Sequence, residues 1–490
     1  VLRRSKLLWS LSWFALSVCV GLLVALRAFD VLFVGGGVLF LALLFVSSPL
    51  AVFGMMLILA PLRALVATES GLQLPIDIGL VLFVVAIFVW LLFRILQNRS
   101  VLLIQWTKLY IPILGFLFWS GMTLWSSGSV GLWLSEWLKW LIVLVVIVIV
   151  MQMSKSLSWA WFVFLLVCAG VSNALVGLYI FFGGSGADHL LINNRFFRAF
   201  GTFGQPNPFG GFMGLLLPLS VMMALAYLIV IVRIWLQKRD IHLQSVGLFV
   251  FYAFASLVLF AGLLASWSRG AWLGFVFSIA VVAFALPRRL WQSFIFSGSV
   301  VVLVGVFWFG GLLPAPVMQR VASSVDDFFV FADVQGVDIT SANFAVVERL
   351  AHWQAALNML RDVPWAGVGF GNYEIAYSNY RLINWDEALG HAHNYYLNIL
   401  AETGMIGFFA YLGVWSVIAW MTWRSKKHPD LLARLLSVGL LGSWAYFSFH
   451  NLLDNLYVNN LFLHLGVMLG ILVVIHNQVS HSFVIRDYLE

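Results

Sequence analysis

Long apolar runs alternate with short polar breaks over the whole chain, and the runs are too long for strands, so the pattern predicts helices. Val246 to Ala265 is one such run and carries no charge. A helix needs about 20 mostly apolar residues to cross a hydrocarbon layer of roughly 30 Å. Runs of this kind lie near residues 7–27, 31–47, 49–66, 78–97, 109–126, 137–153, 158–182, 209–232, 247–265, 271–286, 291–313, 397–421, 433–449 and 460–476. The expected fold is therefore all-α, a polytopic transmembrane helix bundle of about 12–14 spans. The break at Ser47, Ser48 and Pro49 leaves the two runs around it barely long enough.

Composition turns this expectation into a statement about solvent. Of 490 residues, 62% are hydrophobic and only 10% charged, which suits a bilayer and not water. The net charge of +7 would suggest nucleic acid in a soluble protein. Here the basic residues fall in short clusters between apolar runs, so no nucleic-acid partner is expected and the bilayer is the expected surroundings. With a cytoplasmic N-terminus, Arg94/Arg99/Lys108, Lys155, Arg233/Lys238/Arg239, Arg288/Arg289 and Arg424/Lys426/Lys427/Arg434 all fall inside. Arg3, Arg4 and Lys6 precede an apolar run that reaches about Leu26 without a small-residue cleavage site, which reads as an uncleaved first helix. Cys19 and Cys168 both lie in apolar runs and read as packing residues.

This topology leaves Gly183 to Pro208, Ser266 to Gly270, Leu312 to Tyr396 and His450 to Asn459 on the outer side. Three regions follow: membrane helices in 1–313, a large extracytoplasmic loop in 314–396, and membrane helices with a short cytoplasmic tail in 397–490. In the large loop Val346, Leu350, Trp353, Leu357 and Leu360 recur at steps of four and three, predicting an amphipathic helix over 343–362 that ends before Pro364. Such a helix either lies on the outer leaflet or caps the bundle.

The outer segments hold the candidate chemistry. His391 and His393 stand two apart beside Asn394, just before a span; either imidazole suits a general base. No nearby cysteine or carboxylate cluster completes a zinc site, so no metal is expected. Arg269 sits in a polar island between two apolar runs, a costly place unless an anion or carboxylate pairs with it. Arg195 and Arg198, interleaved with phenylalanines ahead of Gln205 and Asn207, suit either an anionic sugar-bearing ligand or an interfacial belt. Outer arginines against the positive-inside trend suggest a phosphate or pyrophosphate clamp. The chain has no Asp-x-Asp motif for a magnesium-bound sugar donor, which favours a metal-free clamp. Gly367, Gly369 and Gly371 do not sit between a strand and a helix and read as a turn, so no nucleotide cofactor is expected. His450 and Asp454, four apart, read as a structural pair.

Together these segments resemble the O-antigen ligase and O-antigen polymerase superfamily of bacterial membrane glycosyltransferases. The ligase motif of His, then Asn, Ser or Gln, nine residues and Gly-x-x-Gly is matched by His393, Asn394, Tyr395 to Thr403, and Gly404-Met-Ile-Gly407. Arg198 to Pro208, Ser268-Arg269-Gly270, and Arg349 to Asn372 with Trp353, Pro364 and Gly367-Val-Gly369 follow in the family's order. The resemblance spans roughly 195–460. It implies a glycan donor on undecaprenyl pyrophosphate, a glycan, lipid or protein hydroxyl as acceptor, and the outer face of the inner membrane. It implies His393 as the base, or His391 in its place, and Arg269 and Arg198, with Arg195 or Arg349, on the pyrophosphate, without metal or cofactor. The competing class is a polytopic transporter of lipid-linked glycan or of a small anion, which should show repeats and polar residues at mid-membrane; no clear repeat appears.

Overall fold

The structure, a computed structural model, describes residues 48–70, 77–96, 105–185, 190–311 and 343–487 apart from 156 and 193–194, with isolated residues besides. The expected spans at 7–27 and 31–47, and the bulk of 312–342, lie outside the described residues. Helices dominate: α1 Pro49–Leu59, α2 Leu62–Ser70, α3 Ile78–Leu96, α4 Tyr110–Met122, α5 Val130–Met153, α6 Trp159–Phe181, α7 Pro206–Leu236, α8 Leu243–Ala265, α9 Arg269–Ala285 and α10 Leu290–Phe309. After the long loop come α11 Phe344–Asp362, α12 Tyr373–Tyr380, α13 Tyr395–Ser425, α14 Leu431–His450 and α15 Leu461–Asp487. One two-stranded antiparallel ribbon, β1 Leu191–Ile192 with β2 Phe196–Phe197, pairs Leu191 with Phe197.

Among the described residues ten helices are long and apolar enough to cross a membrane, and α9 is a shorter apolar helix. The protein is a polytopic membrane helix bundle. Its surface fits: Phe88, Phe118, Leu257, Phe294 and Val301 are each more than 60% exposed, an apolar surface no soluble monomer would leave open. The centre is α6 and α15, which are buried over most of their length, with α7 and α14 against them.

Close helix approach comes from small residues, as in lipid it must, because tails offer no hydrophobic drive toward other helices. At Gly214 on α7 an added Cβ would lie 2.0 Å from the Tyr446 ring of α14, and at Gly439 it would lie 2.9 Å from the Pro218 carbonyl. Pro218 sits inside α7 and cannot donate to the preceding turn. Nearby carbonyls of α7 are used by α14 instead: Ser443 donates to Leu215 (2.7 Å) and Tyr446 to Gly210 (2.7 Å).

Loops sort into two ends. At one end Lys426 donates to the Ala285 carbonyl, and Arg233 and Arg288 lie within electrostatic range of Arg434. At the other the four expected outer segments meet, joined by two more that the span pattern did not single out. Ala60 and Asp77, which flank α2 and its connection to α3, enter through Asn460, which donates to both (2.9 and 2.7 Å), and residues 126–130 enter through Ser129, whose amide donates to Asn372 (2.7 Å).

Three boundaries differ from the sequence expectation. Helix α5 begins at Val130 and not near 137, because Ser129 caps it and Glu136 and Lys139 form an ion pair on its face. The run expected to span 109–126 is helical only to Met122 and ends in a 3-10 turn, Thr123–Ser126. The amphipathic helix forms at α11 and caps the bundle, but its buried face is offset. Of the expected face Leu350 is buried, with Val346 and Trp353 packed beside it, while Leu357 and Leu360 are half-covered and Ala351, His352, Ala355, Ala356 and Met359 are buried in their place, since small residues let α11 approach its neighbours closely.

Gly214→Leu should destabilise the purified protein by about 1–3 kcal/mol through overpacking against Tyr446. Gly413→Leu, at a position with nothing within 4 Å, is the control. Thermal unfolding in detergent checks this; equal melting temperatures for the two variants would contradict the packing described.

Candidate functional site

The site is organised by a break in α13. Gly404 has φ 67 and ψ −172, so the helix is interrupted there, and an added Cβ would lie 2.2 Å from the Trp365 carbonyl oxygen. A break inside a membrane helix frees backbone groups that must be satisfied by protein. The turn after α11 satisfies them. Val368 donates to Ala401 and Gly369 to Glu402, each at 3.0 Å, while Met405 donates to Pro364 at 2.8 Å. The Trp119 indole takes the Thr403 carbonyl at 2.9 Å. Gly367, Gly369 and Gly371 all have positive φ, so the glycine-rich segment is a turn. An added Cβ at Gly367 would strike the Glu402 carbonyl at 2.5 Å. The Glu402 carboxylate accepts the Tyr373 amide (3.2 Å), starting α12.

The other end of the same helical segment holds the histidines. Asn394 is the N-cap of α13, accepting the amides of Tyr396 (3.0 Å) and Leu397 (3.1 Å). His393 precedes it in the left-handed region (φ 52), a conformation that non-glycine residues adopt at a cost and that clusters at functional sites. Three amides pin the segment: Ala392 to the Asn398 side chain (3.1 Å), His393 to His391 Nδ1 (3.0 Å) and Tyr395 to the Asn451 carbonyl (2.8 Å). The spacing from His393 to Gly404 thus measures one helical segment, with the histidine at its start and the turn docked at its end.

Asp454 closes the cluster. Its Oδ1 lies 3.9 Å from His391 Nε2 and 3.8 Å from His393 Nδ1. Burial opposes its charge, but the imidazoles of His393, His391 and His450 outweigh that and hold its carboxyl well below the usual carboxylate range. Burial lowers His391 to about 4, against the upward pull of Asp454 and helped by His393 and Arg349. His352, buried on α11, is lowered to about 3 by burial, then by His393 and His391; its ring stacks on Tyr377. The ring of His393 lies edge-on to both His352 and His391, and its two nitrogens are shielded with no hydrogen-bond partner among the described residues.

The arginines adjoin this cluster unequally. Arg198 donates through Nε to the Ser266 carbonyl (3.2 Å) and through an Nη to Asn207 Oδ1 (3.3 Å), which ties the loop before α7 to the turn before α9. Arg269 opens α9, with Ser268 as N-cap. The next residue, Gly270, faces His450, whose Nε2 an added Cβ would meet at 3.2 Å. Arg349 lies within electrostatic range of His391, His450 and Glu348. Arg195 is exposed, its guanidinium 5.1 Å from the Phe196 ring centre, and no described contact joins it to the histidines. Gln205 is the exposed N-cap of α7 without a side-chain cap bond.

Sequence spacing paired Asp454 with His450. In the fold His450 stays within electrostatic range of Asp454 while its Nδ1 lies 3.1 Å from the Tyr446 hydroxyl, and Asp454 also faces the other two histidines. The stated ground against a metal, the lack of a carboxylate, is also corrected. His391, His393 and Asp454 bring ligand-capable atoms within 4.8 Å of one another. His352 and Glu402 gave no sequence signal, since neither belongs to a polar run.

Residues 254–412 match the family model described as O-antigen ligase. This stretch is roughly a third of the chain and holds Arg269, Arg349, His391, His393, Asn394, Gly404 and Gly407. Over this segment the chain is similar to the O-antigen ligase family, and its apolar helices make it a multi-pass membrane protein. No curated protein matches it.

Asn394→Ala should cost about 1 kcal/mol through the lost helix cap, and Asn394→Ser should recover much of it. Gly404→Ala should cost more, because both its φ and its contact with the Trp365 carbonyl forbid a side chain. Thermal unfolding combined with limited proteolysis of the 363–394 segment measures both; a fully stable Gly404→Ala protein would contradict the docking described.

Proposed function

We propose that this protein transfers a glycan from undecaprenyl pyrophosphate to an acceptor hydroxyl at the outer face of the bacterial cytoplasmic membrane, without a metal ion. The observation that carries this reading is the family match over 254–412 together with the meeting of Arg198, the Arg269 turn, Arg349 and the His391–His393–Asp454 cluster at one end of the bundle. The basic loops gather at the other end, which by the positive-inside rule is cytoplasmic.

In this reading the acceptor oxygen bonds to the anomeric carbon of the donor sugar while the bond from that carbon to the pyrophosphate oxygen breaks. Polyprenyl pyrophosphate leaves with the electron pair. The acceptor proton passes to His393, which the Asp454 carboxylate orients and whose positive charge it offsets. Arg269 and Arg198, with Arg349, take the growing negative charge on the pyrophosphate. Helix α9 begins at Arg269, and α7 begins at Pro206 next to Asn207, which accepts from Arg198, so the positive ends of two helix dipoles add to the clamp. Arg195 serves the donor's outer portion beside Phe196, with Gln205 as the N-cap of α7 and Asn207 in its first turn. The acceptor is a glycan, lipid or protein hydroxyl.

His393→Ala and Arg269→Ala should each lower transfer from a purified lipid-linked donor about 100-fold or more, with the protein still folded. Full activity in both would end this mechanism. Transfer should also survive EDTA; a strict magnesium requirement would show the arginine clamp to be the wrong idea.

A further inference from the structure

Two histidines face one carboxylate in this site, and their hydrogen bonds distinguish them. The His393 backbone amide donates to His391 Nδ1 at 3.0 Å, so that nitrogen carries a lone pair. A neutral imidazole with a lone pair on Nδ1 holds its proton on Nε2. Nε2 is the His391 nitrogen that faces Asp454, at 3.9 Å, so His391 presents an N–H to the carboxylate. His393 turns the opposite nitrogen, Nδ1, to the same oxygen at 3.8 Å. An ionised carboxylate only accepts, which favours the proton of His393 on Nδ1 and leaves its lone pair on Nε2. Both separations exceed a hydrogen bond, as is common in unliganded sites whose contacts tighten around substrate.

We propose that His391 is a positioning residue and not an alternative base: its Nε2–H holds the Asp454 carboxylate, which fixes the Nδ1–H tautomer of His393 and leaves His393 Nε2 to take the acceptor proton. The step balances: one proton moves from acceptor oxygen to Nε2, and His393 becomes an imidazolium facing Asp454. The same arrangement argues against a metal ion on the three residues. A metal on His391 would need the Nε2 lone pair, which would move the ring proton to Nδ1, against the His393 N–H that now donates there.

The kinetic arm of the test rests on the transferase reading, and the spectroscopic arm does not. Nitrogen-15 NMR of histidine-labelled protein in lipid should show neutral His391 protonated on Nε2 and neutral His393 on Nδ1. A lone pair on His391 Nε2 would overturn the proposal. So would a tetrahedral Co²⁺ absorption spectrum lost in both His391→Ala and Asp454→Asn. In transfer assays His391→Ala should lower kcat by about 10-fold to 100-fold with little change in KM, and His391→Gln, which keeps an N–H for Asp454, should recover most of it.

The pH profile adds a readout that simple loss of packing would not move. Without the His391 donor, Asp454 is a stronger partner for imidazolium, so the acidic limb of kcat should move up in His391→Ala. His391→Gln should restore it. The other titratable groups facing this pair, His352 and Glu348 on α11, Arg349 beside them and His450 on α14, are unchanged in both variants. Equal profiles and equal kcat in wild type and His391→Ala would overturn the positioning role. The expected tautomers in a protein that transfers nothing would support this hydrogen-bond assignment and count against the transferase reading.

Discussion

A helix that breaks inside a membrane protein must find partners for the backbone groups it frees, and in α13 the break at Gly404 sets the position of everything around it. The carbonyls of Ala401, Glu402 and Thr403 are taken by Val368, Gly369 and Trp119. This fixes the turn that follows α11, and with it α11 and α12. Ten residues before Gly404 the same segment starts at its cap, Asn394, so the placement of His393 and the docking of the loop are one constraint. The extramembrane cap is held to the bundle at this break and, beside it, through Asn372 and Phe370, which bond Ser129 and Thr123.

The electrostatics follow from that placement. Tyr395 bonds the Asn451 carbonyl, which draws the end of α14 and the following loop onto the start of α13 and sets Asp454 against the histidines. One carboxylate then serves several imidazoles in a site largely closed to water, where each interaction is stronger than it would be in solvent. His393 is left strained and without hydrogen-bond partners for its ring among the described residues. Buried polar atoms are normally paired, so an unpaired imidazole beside an ionised carboxylate is the feature that most needs a substrate to complete it.

Much of the fold was legible in the sequence, because run length and charge placement are direct consequences of bilayer thickness and of the positive-inside rule. The helix over 343–362 was legible too, although its buried face was so only in part. Large residues carry the periodic signal, and the close contact was made by Ala351, Ala355 and Ala356 instead. Charge misled at α5, where Glu136 and Lys139 cancel each other on a helix that begins earlier than its apolar run. In the site, His393 and Asn394 were legible through their spacing to Gly404 and Gly407. Asp454 could not be linked to them, since the 60 positions between residues 393 and 454 are closed by the packing of α13 against α14 and by the bond from Tyr395 to Asn451. His352 was hidden for the same reason.

The central claim is that the arginine-lined, histidine-bearing end of this bundle moves a glycan and does not move an ion. Its most direct test is to incubate the purified protein with an undecaprenyl-pyrophosphate-linked oligosaccharide and candidate acceptors and to identify the product by mass. The account predicts an acceptor heavier by the glycan and release of undecaprenyl pyrophosphate. An intact donor, with anion counterflow across vesicles containing the same protein, would contradict it.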